Sequence, residues 1–95
     1  MLCILLASVD SPQDKRKLEL LYEKYNRLMY VVAMLVLHHP QDAEDACLTS
    51  WEKVIKNLDK IEKIDCQKTK SFLVIIVERT AIDLYRKNQK KNQKN

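Results

Sequence analysis

The ninety-five residues of this chain include no glycine. Glycine is the preferred residue of the tight turns that join hairpin strands, so a sheet built from hairpins is disfavoured. Glycine-rich loops that hold nucleotide phosphates are excluded for the same reason. Leu, Lys and Glu are abundant instead and favour helices. The sequence therefore predicts an all-α fold.

The length is that of one domain, which can bury a modest core without disulfides or metal. We expect a single domain over 1–95, with a core over about 11–87 and a basic tail over 88–95. The three cysteines Cys3, Cys47 and Cys66 show no CxxC spacing. A disulfide framework is therefore not expected, and a reducing cytoplasm is the predicted location.

The opening stretch "MLCILLA" is apolar but lacks the basic start and cleavage site of a signal peptide. It is also too short to span a bilayer. We therefore expect no membrane association, and we expect the stretch to pack on the domain, as a short N-terminal helix.

Positive charge is concentrated at the C-terminal end. The chain carries a formal net charge of +4, and from Lys70 onward seven basic residues stand against two acidic ones. A basic end on a mildly acidic body indicates that a polyanion is met there.

Two prolines delimit the predicted long helices. Ser11, Pro12 and Asp14 form a helix-start signature, and Pro40 breaks the helix that follows. Helical spacing predicts the buried face of the first long helix, formed by Leu18, Leu21, Tyr22, Tyr25, Leu28, Met29, Val32, Leu35 and Val36. That of the second is predicted to comprise Ala43, Ala46, Cys47, Ser50, Trp51, Val54, Ile55 and Leu58.

The charged stretch from Asp59 to Lys68 loses this period and is predicted to be a loop with at most one short turn. The run "SFLVIIV" after it could be a buried strand by composition. We predict a helix because no second strand is available to pair with it. The helical period also continues in Phe72, Leu73, Ile76, Val77, Thr80, Ala81 and Leu84. The last ten residues, "RKNQKKNQKN", are expected to fray.

The second helix starts with three acidic residues, Asp42, Glu44 and Asp45. Its face opposite the core is predicted to carry Asp45, Leu48, Thr49, Glu52 and Lys56. Acidic residues favour a helix N-terminus in any protein, so this face could be ordinary solvated surface. Leu48 is out of place on such a face and favours an interface with a basic partner. Both interpretations remain open.

The outer face of the last helix alternates apolar and cationic residues: Ile75, Arg79, Ile82 and Arg86. Arginines that hold phosphates beside apolar side chains that contact bases suit single-stranded nucleic acid. An ordinary bundle helix is an equally good explanation.

A metal site or an active site is not expected. His38 and His39 are adjacent, and with Cys47 and Cys66 they fit no common zinc spacing. The chain also shows no activated nucleophile or carboxylate pair. We therefore predict no cofactor and no enzymatic activity.

Four stretches, "LLYEKYNRLMYVVAMLVL", "DAEDA", "NLDKI" and "KTKSFLVIIVERTAIDLYRK", together resemble region 2 of sigma-70 family factors of the extracytoplasmic-function group. The similarity covers roughly residues 18–87. It implies a non-enzymatic helical domain that docks on the clamp helices of the largest RNA polymerase subunit. The domain would then engage the non-template strand of the minus-ten promoter element as it melts, and an anti-sigma factor is a further partner class.

The resemblance assigns two surfaces. Polymerase binding is expected at Asp42, Glu44, Asp45, Leu48, Thr49 and Glu52. DNA binding is expected in the loop before the last helix and along that helix, at Lys68, Lys70, Ser71, Phe72, Ile75, Arg79, Ile82, Arg86 and Lys87.

The chain departs from the family pattern at Leu48 and Thr49, where Gln-Glu is usual, and at Glu78 and Arg79, where a basic residue and Asn are usual. Phe72 stands where Trp is most common. Region 4, the second domain of complete members, is not expected within these residues. The alternative function is a sigma-derived interaction or regulatory module that does not melt DNA.

Overall fold

The computed structural model describes residues 2–93 as four α-helices and one short 3₁₀-helix, without a strand in that range. In chain order they are α1 (Leu2–Ala7), α2 (Pro12–Leu37), α3 (Pro40–Lys56), the 3₁₀-helix (Leu58–Lys60) and α4 (Gln67–Gln93). The all-α prediction, with three main helices and a short N-terminal one, is confirmed. No helix in the described residues is apolar enough over a sufficient length to cross a membrane.

The start of α2 is the predicted one. The hydroxyl of Ser11 accepts a hydrogen bond from the Asp14 N–H at 3.5 Å, and Pro12 opens the helix. At the other end, His38 takes the left-handed conformation with φ 58° and donates its N–H to the carbonyl of Met34 at 2.8 Å. Glycine usually fills this position. Without any glycine in the chain, a histidine ends the helix instead.

The core lies where the three long helices meet, since α4 packs on both α2 and α3. From α2 the buried residues are Leu18, Leu21, Tyr25, Met29 and Ala33. From α3 they are Ala43, Ala46, Cys47, Ser50, Trp51 and Val54. From α4 they include Leu73, Val77 and Ala81. Leu58, predicted on the second helix, is buried in the 3₁₀-helix.

One residue was wrongly predicted to lie on the buried face of α2. Leu35 is 70% exposed, whereas its neighbour Val36 is partly buried against the core. Successive residues of an α-helix are about 100° apart, so Leu35 falls outside the stripe that Val36 and Met29 share. Ala33, which the pattern omitted, is fully buried.

The N-terminal segment packs on α2, as predicted. Leu5 of α1 and Val9 after it are buried in the core. Ile4 faces outward and is 71% exposed. Of the opening stretch, Met1 lies outside the described residues.

The "SFLVIIV" stretch is helical and lies inside α4, which begins at Gln67 and so includes the last two residues of the predicted loop. The prediction that the basic tail frays is wrong as far as Gln93, where α4 ends. Lys, Arg and Gln are good helix formers, and extending a formed helix avoids the cost of nucleation. Residues 94–95 lie outside the described part of the chain.

Candidate nucleic-acid interface

The outer face of α4 carries the predicted alternation. Ile75 is 46% exposed, Arg79 and Arg86 are exposed, and Ile82 is half-buried. Lys68 lies seven residues before Ile75, so it continues the same stripe by helical spacing and is exposed too. The stripe therefore presents three cations and two apolar side chains along one side of the helix.

An open groove of about 540 Å³ lies between the start of this stripe and the loop that precedes α4. Its apolar lining comes from Ile61, Phe72 and Ile75. Three lysines and one acid also line it, together with smaller polar residues; the full set is Lys60, Ile61, Glu62, Lys63, Cys66, Lys68, Thr69, Ser71, Phe72 and Ile75. An apolar, partly aromatic surface surrounded by cations suits a flat ring attached to an anionic backbone.

The loop side of the groove is held by side chains at the start of α4. The Thr69 hydroxyl, which is buried, donates to the carbonyl of Lys63. The Cys66 sulfur lies 3.3 Å from the same hydroxyl and 3.6 Å from the Lys63 carbonyl. Hydrogen bonding with the side chain and backbone of Thr69 lowers the pKa of the Cys66 thiol.

Not all predicted DNA-binding residues share this groove. Lys70 lines a second groove of about 430 Å³ on the α2 side of the loop, together with Lys24 and Asp65. Lys87 lines a third, of about 300 Å³, between α3 and α4. Asp45 and Thr49 line that third groove as well. Lys87 therefore lies beside the predicted polymerase-binding face rather than on the outer stripe of α4.

The acidic start of α3 is partly engaged within the chain. Asp42 is half-buried, and its Oδ2 accepts a hydrogen bond from the amide of Asn88 on α4 at 3.3 Å. Glu44 and Asp45 are exposed. The carboxylates available to a partner are therefore mainly those of Glu44 and Asp45. Glu52, further along the helix, is exposed as well.

Leu48 is less exposed than the sequence pattern predicted. It is half-buried and packs against the core, as does Ile55. The two are seven residues apart and lie on the same flank of α3. Thr49 is exposed beside it. The predicted exposed leucine is thus a residue at the edge of the core.

The histidines and cysteines do not assemble. Among the residues that the structure describes, no group of three or more His, Cys, Asp or Glu side chains is placed to hold a metal ion. His38 and His39 are exposed. Cys47 is buried in the core, and burial raises the pKa of its thiol to about 11, so this thiol stays protonated and inert at neutral pH.

Sequence reasoning missed the loop side of the groove. Lys60, Ile61 and Lys63 were treated as featureless loop, yet all three line it. The available signal was the pair Ile61 and Ile64, two isoleucines three apart in an otherwise charged stretch. In the structure Ile61 is buried and Ile64 is partly buried against the core.

Residues 21–91 match the sequence model of the family described as Sigma-70 region 2. This range includes the acidic start of α3, the groove and nearly all of α4. No curated protein and no solved structure matches the chain.

Proposed function

Because this chain belongs to the family of sigma-70 region 2 domains, we propose that it is the promoter-recognition domain of a bacterial sigma factor of the extracytoplasmic-function group. In this proposal the domain is non-catalytic and works in the cytoplasm. The start of α3 docks on the clamp helices of core RNA polymerase. The loop before α4 and the outer stripe of that helix bind the non-template strand of the minus-ten element as the duplex melts.

The groove between the loop and α4 is the observation that supports DNA binding most directly. Unstacked bases of a melted strand can be accommodated on aromatic and apolar surfaces, and Phe72 and Ile75 provide such a surface. Lys60, Lys63 and Lys68 line the same groove and suit the adjoining phosphates. A duplex keeps its bases stacked inside, so this geometry favours a single strand.

The outer stripe of α4 extends the same path. Arg79 and Arg86 lie one and three turns beyond Ile75 on the same side of the helix. Their side chains are exposed and are free to meet phosphates. In this proposal the groove discriminates among sequences, and the arginines supply affinity for any strand.

Two kinds of substitution test this division. We expect Phe72→Leu, which keeps an apolar side chain but removes the flat ring, to lower the preference for a minus-ten strand over a scrambled one. We expect Arg86→Gln to weaken both strands about equally and to flatten the salt dependence, as loss of a phosphate contact does. Fluorescence anisotropy with matched and scrambled single strands over a salt series measures both effects.

Lys15→Gln, in the exposed first turns of α2, removes the same charge as Arg86→Gln at a site outside the proposed path and serves as the control. Equal binding of single-stranded and duplex DNA, with no effect of Phe72→Leu, would contradict the proposal. The result would then favour a sigma-derived interaction module whose basic end attracts any polyanion.

Polymerase docking is tested separately at Asp45. Its carboxylate is exposed on the acidic side of α3, where it can meet basic residues of a partner. We expect Asp45→Asn to weaken binding of core polymerase about tenfold, which corresponds to about 1.4 kcal/mol, and higher salt to weaken the wild-type complex. Surface plasmon resonance with immobilised domain measures both.

Asp59→Asn makes the same charge change at an exposed residue of the 3₁₀-helix and is the matched control. If both variants bind polymerase as the wild type does, the acidic start of α3 is solvated surface and the docking assignment is wrong.

A further inference from the structure

The loop before α4 has an anchor that lies outside the groove. Two lysines of α2, Lys17 and Lys24, are seven residues apart. Lys17 Nζ donates to the carbonyl of Leu58 at 2.6 Å, and Lys24 Nζ lies 3.1 Å from a carboxylate oxygen of Asp65. Next to the Lys24–Asp65 contact, the hydroxyl of Tyr25 donates to the carbonyl of Ile64 at 2.6 Å.

The Tyr25 contact is the most confined of the three. Its side chain is 4% exposed, so neighbouring core residues fix the position of the hydroxyl. The Lys24–Asp65 pair is more accessible, with 43% and 86% of the two side chains exposed, and pairs of this kind contribute little in water. Tyr25 is therefore the contact most able to fix where the loop backbone runs.

This backbone has few partners of its own. Residues 61–66 form neither helix nor strand. The Cys66 carbonyl accepts from the Lys70 N–H at 3.1 Å, and the other carbonyls depend on side chains or water. Burial raises the pKa of Tyr25, so the hydroxyl remains a protonated donor at neutral pH. The carbonyl it holds belongs to Ile64, which sits between the groove-lining residues Lys63 and Cys66.

We propose that Tyr25 is a positioning residue for DNA recognition: its hydroxyl holds the Ile64 carbonyl and thereby fixes the loop side of the groove in the shape that receives an unstacked base. This inference rests on the proposed function. It assigns part of the sequence discrimination to a core side chain of α2. Tyr25 lines the second groove, on the α2 side of the loop, and does not line the proposed base-binding groove.

Tyr25→Phe tests this directly, because it removes one hydroxyl and keeps the packed ring. We expect the ratio of affinities for matched and scrambled single strands to fall about two- to tenfold, the effect of one lost hydrogen bond. The salt dependence should stay unchanged, since no phosphate contact is removed. Amide hydrogen exchange at residues 61–66 should become faster in the free domain.

Tyr22→Phe is the matched control. Its ring packs on Trp51 with the centroids 5.2 Å apart, and it does not line the groove. The variant removes the same atom from the same helix and should leave the affinity ratio and the loop exchange as they are. Thermal melting of both variants separates a loss of overall stability from a change in the loop.

The outcomes are distinct. A lower ratio in Tyr25→Phe but not in Tyr22→Phe supports the inference. An unchanged ratio in Tyr25→Phe, while Phe72→Leu still lowers it, overturns the inference and leaves the proposed function standing. Equal loss of affinity for both strands also overturns it. A wild-type domain without any preference removes the proposed function, and the inference with it.

Discussion

Replacing Trp51 with alanine should lower the free energy of unfolding by about 3–5 kcal/mol. Trp51 is fully buried on α3, packs against the tilted ring of Tyr22 and donates its indole N–H to Asn26 Oδ1 at 3.2 Å. The substitution removes the largest side chain of the core and leaves the Asn26 oxygen without its donor. For a domain of this size, such a loss is a large part of the total stability.

Urea unfolding followed by circular dichroism measures the effect, because the only tryptophan is lost and fluorescence cannot serve. Trp51→Phe keeps most of the ring volume while removing the indole N–H, so it should cost clearly less than the alanine variant. A loss under about 1 kcal/mol for Trp51→Ala would mean that Trp51 is not in the core. The orientation of α3, and with it the proposed polymerase-binding face, would then be wrong.

Leu73→Ala should cost about 2–5 kcal/mol, whereas Ile75→Ala, only two residues away, should cost less than about 1 kcal/mol. Leu73 is fully buried and Ile75 is 46% exposed. In an α-helix two successive steps turn a side chain by about 200°, so these residues face opposite ways. In a strand, residues two apart share a face and the two variants should behave alike.

This pair of variants therefore tests the helical state of the "SFLVIIV" stretch in solution. Chemical unfolding of both proteins, compared with the wild type, gives the two free energies. Similar large losses would indicate a buried strand, and the groove formed by one side of α4 would no longer exist. Ile75 also lines the groove. Any effect of Ile75→Ala on DNA binding should therefore be compared with its small effect on stability.

The sequence predicted the features of this fold that depend on local chemistry. Pro12 and Pro40 mark the starts of α2 and α3 in the structure as they do in the sequence. Helical spacing identified Trp51 and Leu73 as core residues, and both are fully buried. Such features depend on neighbours within one or two turns, which is the range that periodicity covers.

The groove could not be predicted in the same way, because distant contacts shape it. Tyr25 reaches Ile64 across thirty-nine positions, and Lys17 reaches Leu58 across forty-one. No periodic pattern signals such contacts. The charged loop consequently looked featureless, although its Ile61 is buried and its lysines line a cavity.

Two further predictions were wrong, one for the polar tail and one for Leu48. The polar tail was expected to fray, but its residues propagate a helix that the apolar half of α4 already forms. Leu48 was predicted to be exposed because helical spacing placed it on the polar face with Asp45 and Glu52. A leucine on the flank of a helix can still lie along the margin of the core, and that is its position here.

The length of α4 gives the molecule a mechanical property. The helix has twenty-seven residues and spans about 40 Å at 1.5 Å per residue. Its first turns form one wall of the groove, and near its other end Asn88 bonds to Asp42 in the first turn of α3. One continuous helix, buried against α2 and α3 through Leu73, Val77 and Ala81, therefore connects the two places.

If the proposed docking of polymerase on α3 displaces Asn88 from Asp42, a shift of this helix would be the route by which docking alters the groove. Binding free energies at two linked sites are reciprocal, so a strand seated in the groove would change the affinity for polymerase by the same factor. Under the proposed function, polymerase binding and strand binding would then be thermodynamically coupled through a single helix.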